Sequence, residues 1–229
     1  MGWTGFILAL VAFTASHYLP ARTGLKTAGV ARLGARGYHA VYGLVSLLLL
    51  GWVVVAAGRA PFVTLWPAEP WTRWVPFAAM PVAFVLTAAG LGCAQPFTLG
   101  GKRAAVFDPA RPGIAAVTRH PLLLALALWS GAHLVANGDL AHAILFGAFL
   151  AMSVGFVPLF DARARAALSP AGARAFFDAT AILSLAPLGD ADWRRANRGL
   201  AIRAGIGLVL WLAALLLHPL VFGVSPLPV

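Results

Sequence analysis

Six histidines are the residues of this chain with the most obvious chemistry, and the stretch 118–139 holds two of them. His120 opens an apolar run and His133 lies thirteen residues later. In a helix that spacing separates the two rings by about 20 Å along the axis. At roughly 100° per residue the rings also point to different sides. The two histidines therefore cannot bind one metal from the same face, and other helices must complete any site.

The apolar runs contain histidines but no carboxylates, and this limits the kinds of metal site that the chain could form. Neutral imidazole binds zinc, copper, nickel and haem iron. The acidic residues nearest the apolar runs are at their ends or in a loop, and they are Asp139, Asp161 and Glu69. Di-iron bundles need several glutamates, and the single Cys93 excludes a cysteine zinc site or an internal disulfide. Phosphate-loop and dinucleotide fingerprints are also absent from the sequence. This pattern favours axial ligation of haem.

Each histidine also has an interpretation that needs no ligand. Three lie in apolar runs and are equally suited to hydrogen bonds between membrane helices; they are His17, His133 and His218. His39 and His142 lie at the ends of runs, where we interpret them as interfacial anchors. For His120, the sequence Arg119-His120-Pro121 predicts either a ligand or a helix start that contacts lipid phosphate. Tryptophan and phenylalanine side chains fit a haem pocket and a lipid interface equally well.

The composition places these histidines in a membrane. The chain has 229 residues, of which 61% are hydrophobic and only 10% are charged. A soluble domain has about a quarter charged residues. We therefore expect an all-α polytopic membrane protein, with residues 1–229 forming one transmembrane domain rather than two domains. The net charge of +10 comes without a long basic run, so a bilayer is a better partner than nucleic acid.

Six apolar runs are long enough to cross about 30 Å of hydrocarbon with some tilt. The predicted spans of this bundle are 3–20, 38–57, 74–93, 121–136, 140–160 and 200–222. The fourth is short, and a start near Ile114 with a kink at Pro121 is the alternative. The N-terminus lacks the basic region of a signal peptide, so we interpret the first run as a retained helix.

The basic residues predict the orientation of these spans. Fifteen of the 17 lysines and arginines lie in the segments 21–37, 94–119 and 161–199 or, in the case of Arg203, shortly after the last of them. The excess of positive charge in alternate loops indicates the cytoplasmic side. Both termini are therefore expected in the periplasm, for a multi-pass protein of the bacterial inner membrane.

Two connections between spans have their own patterns. Between the fourth and fifth runs lie only three residues, Asn137, Gly138 and Asp139. Asn-Gly favours positive φ, so a tight turn and an antiparallel hairpin are predicted. The segment 163–180 alternates basic and apolar residues, which predicts an amphipathic helix on the membrane surface that ends near Pro187-Leu188-Gly189. Its Phe176 and Phe177, together with Ile182, are expected to enter the interface.

The motifs together resemble the NnrU family of membrane proteins along essentially the whole chain. They are His17 with Pro20 and Arg22, Arg32-Leu-Gly-Ala-Arg-Gly-Tyr38, Thr118-Arg-His-Pro121, Trp129 with Ala132-His133-Leu-Val-Ala-Asn-Gly-Asp139, and Leu217-His218-Pro with Gly223. The string around His133 is the specific one. The resemblance implies a link to nitrite and nitric oxide metabolism in denitrifying bacteria.

This family is in turn similar to the plant ζ-carotene isomerases, which are haem b membrane enzymes. That similarity implies a haem-dependent cis–trans isomerase-like activity on a hydrophobic small molecule. It also implies His17 and His133 as axial ligands, with Trp129 beside the haem. His120 matches a further histidine of that family, and it is the alternative partner for His17. The isomerase cysteine three residues before the second ligand is replaced here by Ser130.

Two other functions stay open. Arg119-His120-Pro121 followed by Gly172, Phe176-Phe177 and Pro187 is also similar to isoprenylcysteine-type methyltransferases. That similarity implies an S-adenosylmethionine-dependent membrane methyltransferase, although the paired glutamates of that family are replaced by the separate Asp161 and Asp178. The third function is a non-catalytic partner or assembly factor of a respiratory membrane complex, such as a nitric oxide reductase.

Overall fold

The computed structural model describes residues 2–67 and 69–228 as an α-helical protein. Within those residues the only β-type pairing is an isolated antiparallel bridge between Thr64 and Asp139. The α-helices are α1 Trp3–Arg22, α2 Leu25–Gly58, α3 Trp74–Gly90, α4 Pro121–Ala136, α5 Leu140–Ala167, α6 Pro170–Ala179, α7 Ala186–Gly189, α8 Ala191–Ala196 and α9 Arg198–Phe222. Short 3-10 helices cover Pro70–Arg73 and Gly113–Ala116. The predicted all-α class is confirmed.

The chain divides into two compact units. The first comprises 2–67 and 137–145, and within it α1 packs against α2. The second comprises 69–136 and 146–228, and within it α3 packs against both α4 and α9. Helix α5 begins in the first unit and continues into the second. The core of the second unit includes Ala83, Leu86 and Ala125, with Met80, Leu124 and Leu128 packed against them.

Four helical segments of the described chain are long and apolar enough to span a membrane, so the predicted count of six is not confirmed. They are Leu25–Gly58, Pro70–Gly90, Leu140–Ala167 and Arg198–Phe222. Helix α4 is apolar but has only 16 residues, and α1 is not among the four. On α9, Leu216 and Leu220 are 74% and 82% exposed, an apolar surface that requires lipid or protein cover. The chain therefore has the helices of a membrane protein.

Several helix ends differ from the predicted ones. Helix α4 covers 121–136 as predicted, so the alternative start near Ile114 is wrong. Helix α2 begins at Leu25, well before the predicted Tyr38. The α2 segment is interrupted at Gly34, where φ is +68°, a value that glycine adopts without strain. The basic segment before Tyr38 is thus helical rather than a loop. Hydropathy identifies apolar runs, and it does not distinguish a polar helix from a polar loop.

The predicted surface helix is divided between two helices, and the second of them ends at Ala179 rather than near Pro187. Residues 163–167 extend α5 beyond its predicted end at 160, and α6 begins only at Pro170. Proline has no N–H and fits the first turn of a new helix. Ser169 caps that turn, because its Oγ accepts from the Gly172 amide at 3.1 Å.

The aromatic residues of α6 also differ from the prediction. Phe176 is 2% exposed and packs inside the protein, so its predicted entry into the lipid interface is wrong. Its ring contacts Phe97 and Phe107 at centroid distances of 5.6 and 4.8 Å. Ile182, which follows α6, is 56% exposed. Of these side chains, Ile182 has the exposure that an interfacial position requires.

The turn between α4 and α5 is as short as predicted, but for a different reason. Gly138 does not have positive φ, so that expectation is wrong. Its carbonyl accepts from the amides of Leu65 and Trp66 at 2.7 and 3.1 Å. A Cβ at Gly138 would collide with the carbonyl oxygen of Trp66. Glycine is therefore required by the close approach of another backbone segment.

Candidate functional site

A buried ion pair stands at the start of α4. Arg119 is only 8% exposed, and its Nε lies 3.1 Å from Oδ1 of Asp161 on α5. That contact is an ion pair without the alignment of a hydrogen bond. Nη1 donates to the carbonyl oxygen and the hydroxyl of Thr180, at 3.2 and 3.1 Å. A charge buried this deeply needs such partners, because its desolvation is costly.

His120 shares the same carboxylate. Its Nε2 lies 2.9 Å from Asp161 Oδ1, and its Nδ1 lies 3.3 Å from the hydroxyl oxygen of Thr98. Burial lowers the pKa of His120 below its ordinary value, although the bond to Asp161 partly opposes this and the charge of Arg119 adds to it. The ring is therefore neutral near pH 7. The consistent tautomer donates from Nε2 to Asp161 and accepts at Nδ1 from Thr98.

Hydrogen bonds to and from backbone groups hold this cluster in place. Gln95 donates from Nε2 to the Arg119 carbonyl at 2.8 Å, and it accepts from the Phe97 amide at 2.5 Å. The Arg119 amide donates to the carbonyl of Ala181 at 2.7 Å. The loop after α3 and the residues after α6 are thereby tied to the start of α4.

One aromatic ring contacts two cations at the edge of the cluster. The guanidinium carbon of Arg119 is 4.8 Å from the centroid of Phe177, and that of Arg165 is 3.8 Å from it. Cations at these distances are attracted to the ring face. Phe177, which is half-buried on α6, therefore helps to hold Arg119 in place. The prediction from the sequence gave this ring only a position in the lipid interface.

The cluster can hold a proton but does not present His120 to a ligand. Both ring nitrogens have protein partners, and the ring is 2% exposed. Thr98, His120 and Asp161 are ordered like a nucleophile, base and carboxylate, yet the hydroxyl residue is itself only 5% exposed. Arg119 is buried too, so the predicted contact of this motif with lipid phosphate is not seen. The role of His120 as an alternative haem ligand stays a prediction.

His133, near the other end of α4, has different surroundings. Its Nδ1 lies 2.8 Å from the carbonyl oxygen of Trp129, one turn earlier. Its ring is 5.7 Å from that of Trp129 and 5.2 Å from that of Phe146 on α5. Trp129 also contacts Phe149 at 5.6 Å. The two predicted pocket residues, His133 and Trp129, are thus brought together in an aromatic cluster.

This arrangement suits an axial ligand of haem. A backbone carbonyl that accepts from Nδ1–H fixes the tautomer whose lone pair is on Nε2. The described residues contain no group of three or more His, Cys, Asp or Glu side chains that could hold a metal ion. His133 and Trp129 are therefore the residues here that could hold a haem, whose iron takes imidazole ligands.

His17 belongs to the first unit and makes a similar local bond. Its Nδ1 lies 2.8 Å from the carbonyl oxygen of Phe13 and 3.1 Å from the hydroxyl of Ser16. The rings of Phe13 and Tyr42 are 4.5 and 5.8 Å away. His17 and His133 lie in different units, and their pairing as axial ligands stays a prediction.

The remaining histidines have local roles. His142 Nδ1 lies 2.7 Å from Oδ2 of Asp139, whose Oδ1 accepts from the first amides of α5. His39 Nδ1 contacts the carbonyl oxygen of Ala35 at 2.6 Å, and His218 Nδ1 contacts that of Val224 at 2.9 Å. Asp139 and His142 therefore form a cap at the start of α5.

The polar partners of Arg119 and His120 were not identified from the sequence. They are Gln95, Thr98, Asp161 and Thr180. Asp161 had a usable signal, because it is an acidic residue that directly follows an apolar run. The two threonines and the glutamine had none, since residues so far apart in sequence are brought together only by tertiary packing.

The family model described as NnrU protein matches residues 5–226, nearly the whole chain. No curated protein matches the chain. No solved structure matches it either.

Proposed function

The chain belongs to the NnrU family, and we propose that it is a membrane protein that binds haem b through His133. The proposal extends to redox or isomerisation chemistry on a hydrophobic small molecule, linked to nitrogen-oxide respiration in a bacterial inner membrane. His17 is the proposed opposite axial ligand, on the resemblance to ζ-carotene isomerases. When bound, haem would supply an iron centre able to change oxidation state.

One observation carries the proposal. The imidazole of His133 is held by the carbonyl of Trp129 in the tautomer that puts its lone pair on Nε2. Aromatic rings from Trp129 and Phe146 surround it. Aromatic surroundings exclude water and favour the neutral imidazole that iron requires. In this site the protein positions one ligand and shapes an apolar environment.

The test is the absorption spectrum of protein purified in mild detergent from haem-replete cells. Wild type is expected to show a b-type spectrum with about one haem per chain. His133→Ala is expected to lose the haem or convert its spectrum, because it removes an axial ligand. His17→Ala is expected to do the same. Added imidazole is expected to restore part of the signal, since each alanine leaves space beside the iron.

His39→Ala is the matched control. His39 also bonds through Nδ1 to the carbonyl four residues earlier, but its side chain belongs to an exposed residue. Its spectrum is expected to equal that of wild type. Colourless wild-type protein would reject haem binding and leave the methyltransferase and the assembly factor as alternatives. Binding of S-adenosylmethionine by that colourless protein would then separate those two.

A further inference from the structure

A cationic cavity in the second unit lies between the end of α3, the loop that follows it and the start of α9. Its volume is about 180 Å³. Its walls include Ala89, Cys93, Ile114 and Leu200, together with two basic residues, Arg111 and Arg203. No acidic side chain is among the residues that line it. The cavity therefore combines two positive charges with apolar walls, and it is separate from the His133 cluster.

Only one nitrogen of the Arg203 guanidinium group forms hydrogen bonds within the protein's described residues. Its Nη1 donates to the carbonyls of Ala88, Ala89 and Leu91, at 3.2, 3.3 and 2.6 Å. Two of these bonds satisfy carbonyls in the last turn of α3, which have no partner within the helix, and the third goes to the residue that follows it. The Nε and Nη2 groups make no hydrogen bond or ion pair with the described residues. Arg203 thus retains donors for an anion after it has capped α3.

Arg111 supplies the second charge from a different segment. Its Nε lies 2.9 Å from Oδ2 of Asp108, and its side chain is 85% exposed. An exposed pair of this kind is weak, so the guanidinium remains available to another anion. Arginine is well suited to phosphate, because its planar fork donates two parallel hydrogen bonds.

The surface next to the cavity is apolar. On α9, Ile202 and Ile206 are 70% and 50% exposed, and they flank Arg203 in sequence. Ligand pockets that bury a whole small molecule have volumes of roughly 300–1,000 Å³, so this cavity suits a head group and not an acyl chain. The basic residues around it lie on the side predicted to be cytoplasmic, where head groups of the inner leaflet are found.

We propose that this cavity binds the phosphate of an anionic phospholipid, with the acyl chains along the exposed face of α9. Arg203 and Arg111 contact the phosphate, and the net negative charge of the lipid distinguishes it from zwitterionic lipids. The inference is independent of haem binding. It assigns to the second unit a site for a structural lipid.

Native mass spectrometry of detergent-purified protein tests this site, with phosphatidylglycerol and phosphatidylcholine as probes. Wild type is expected to retain phosphatidylglycerol in preference to phosphatidylcholine. Arg203→Gln and Arg111→Gln are each expected to weaken phosphatidylglycerol binding about fivefold, the effect of one basic residue near an anionic lipid. Arg111→Gln is the cleaner variant, because Arg111 makes no bond to the end of α3.

Arg198→Gln is the matched control. Arg198 is an exposed arginine at the start of the same helix and does not line the cavity. Equal loss in all three variants would indicate general charge attraction and overturn the site. Unchanged phosphatidylglycerol binding in both cavity variants would also overturn it. Displacement of the bound lipid by millimolar inorganic phosphate, without a preference between the two lipids, would assign the cavity to a soluble anion instead.

Discussion

The two ends of helix α4 each carry a histidine, but they hold it in opposite ways. His120 is fixed by side chains from distant parts of the chain, with Thr98 on one ring nitrogen and Asp161 on the other. His133 is fixed by the carbonyl of its own helix and by aromatic rings. Both histidines were candidate ligands in the sequence, which did not predict the partners that hold either of them.

This difference separates a histidine that anchors the fold from the histidine that is proposed as a ligand. A histidine whose two nitrogens are committed to protein partners contributes to stability, and displacing either partner costs free energy. A histidine oriented by a backbone carbonyl retains a defined tautomer that suits a metal. We therefore expect changes at the start of α4 to affect mainly folding, and changes at His133 to affect mainly the proposed binding of haem.

The largest effect is expected from Asp161→Asn. The substitution removes the carboxylate that Arg119 and His120 share, and leaves the guanidinium buried without its counter-charge. Breaking a buried pair from one side costs about 3–5 kcal/mol. Thermal unfolding in detergent, followed by tryptophan fluorescence, is expected to show a large fall in midpoint or failure to accumulate.

Asp178→Asn is the control for that change, because Asp178 is an exposed residue of α6. It is expected to unfold like wild type. The double variant Arg119→Met with Asp161→Leu is expected to regain much of the lost stability, since it removes both charges together. If the Asp161→Asn variant alone were as stable as wild type, the cluster of Arg119, His120 and Asp161 would not anchor the start of α4.

The next effect concerns the turn that follows the His133 end. Gly138→Ala places a methyl group against the carbonyl oxygen of Trp66. Overpacking of this kind costs about 1–3 kcal/mol. Gly147→Ala is the matched control, since a Cβ there meets nothing within 4 Å, and alanine favours a helix interior. If both variants had the same unfolding midpoint, the close approach at Gly138 would be contradicted.

Features of α4 and its turn that depend on neighbouring residues could be predicted from the sequence, and those that depend on distant residues could not. Helix α4 was placed correctly at 121–136, because an apolar run that begins at proline and ends before Asn-Gly defines both of its ends locally. The need for glycine at 138 was predicted, but its cause was not. Contact with Trp66 depends on a segment about 70 residues away in sequence, and local φ preferences contain no information about it.

The site at the start of α4 shows the same limit. Arg119 and His120 were recognised as a motif, and Asp161 was noted at the end of an apolar run but was not predicted to be their partner. Their pairing required α5 to continue past its predicted end and to bring Asp161 back to α4. Hydropathy finds apolar runs, and it does not indicate which polar residues at their ends meet. Long-range polar partners are therefore the part of this fold that the sequence left undefined.

The smallest predicted effect is the pH dependence of stability contributed by His120. Burial lowers the pKa of this ring in the folded protein, so the unfolded chain takes up its proton at a higher pH than the folded one. The stability due to neutral His120 is present above the ordinary histidine pKa near 6.5, and it falls as the pH decreases below that value. For a single proton the slope is at most about 1.4 kcal/mol per pH unit.

Unfolding midpoints at pH 7.5 and 5.5 are expected to differ less in His120→Gln than in wild type. His39→Gln, which changes an exposed histidine, is expected to keep the wild-type difference. Equal differences in all three proteins would show that Asp161 compensates the burial of His120 fully, and that this end of α4 is insensitive to pH.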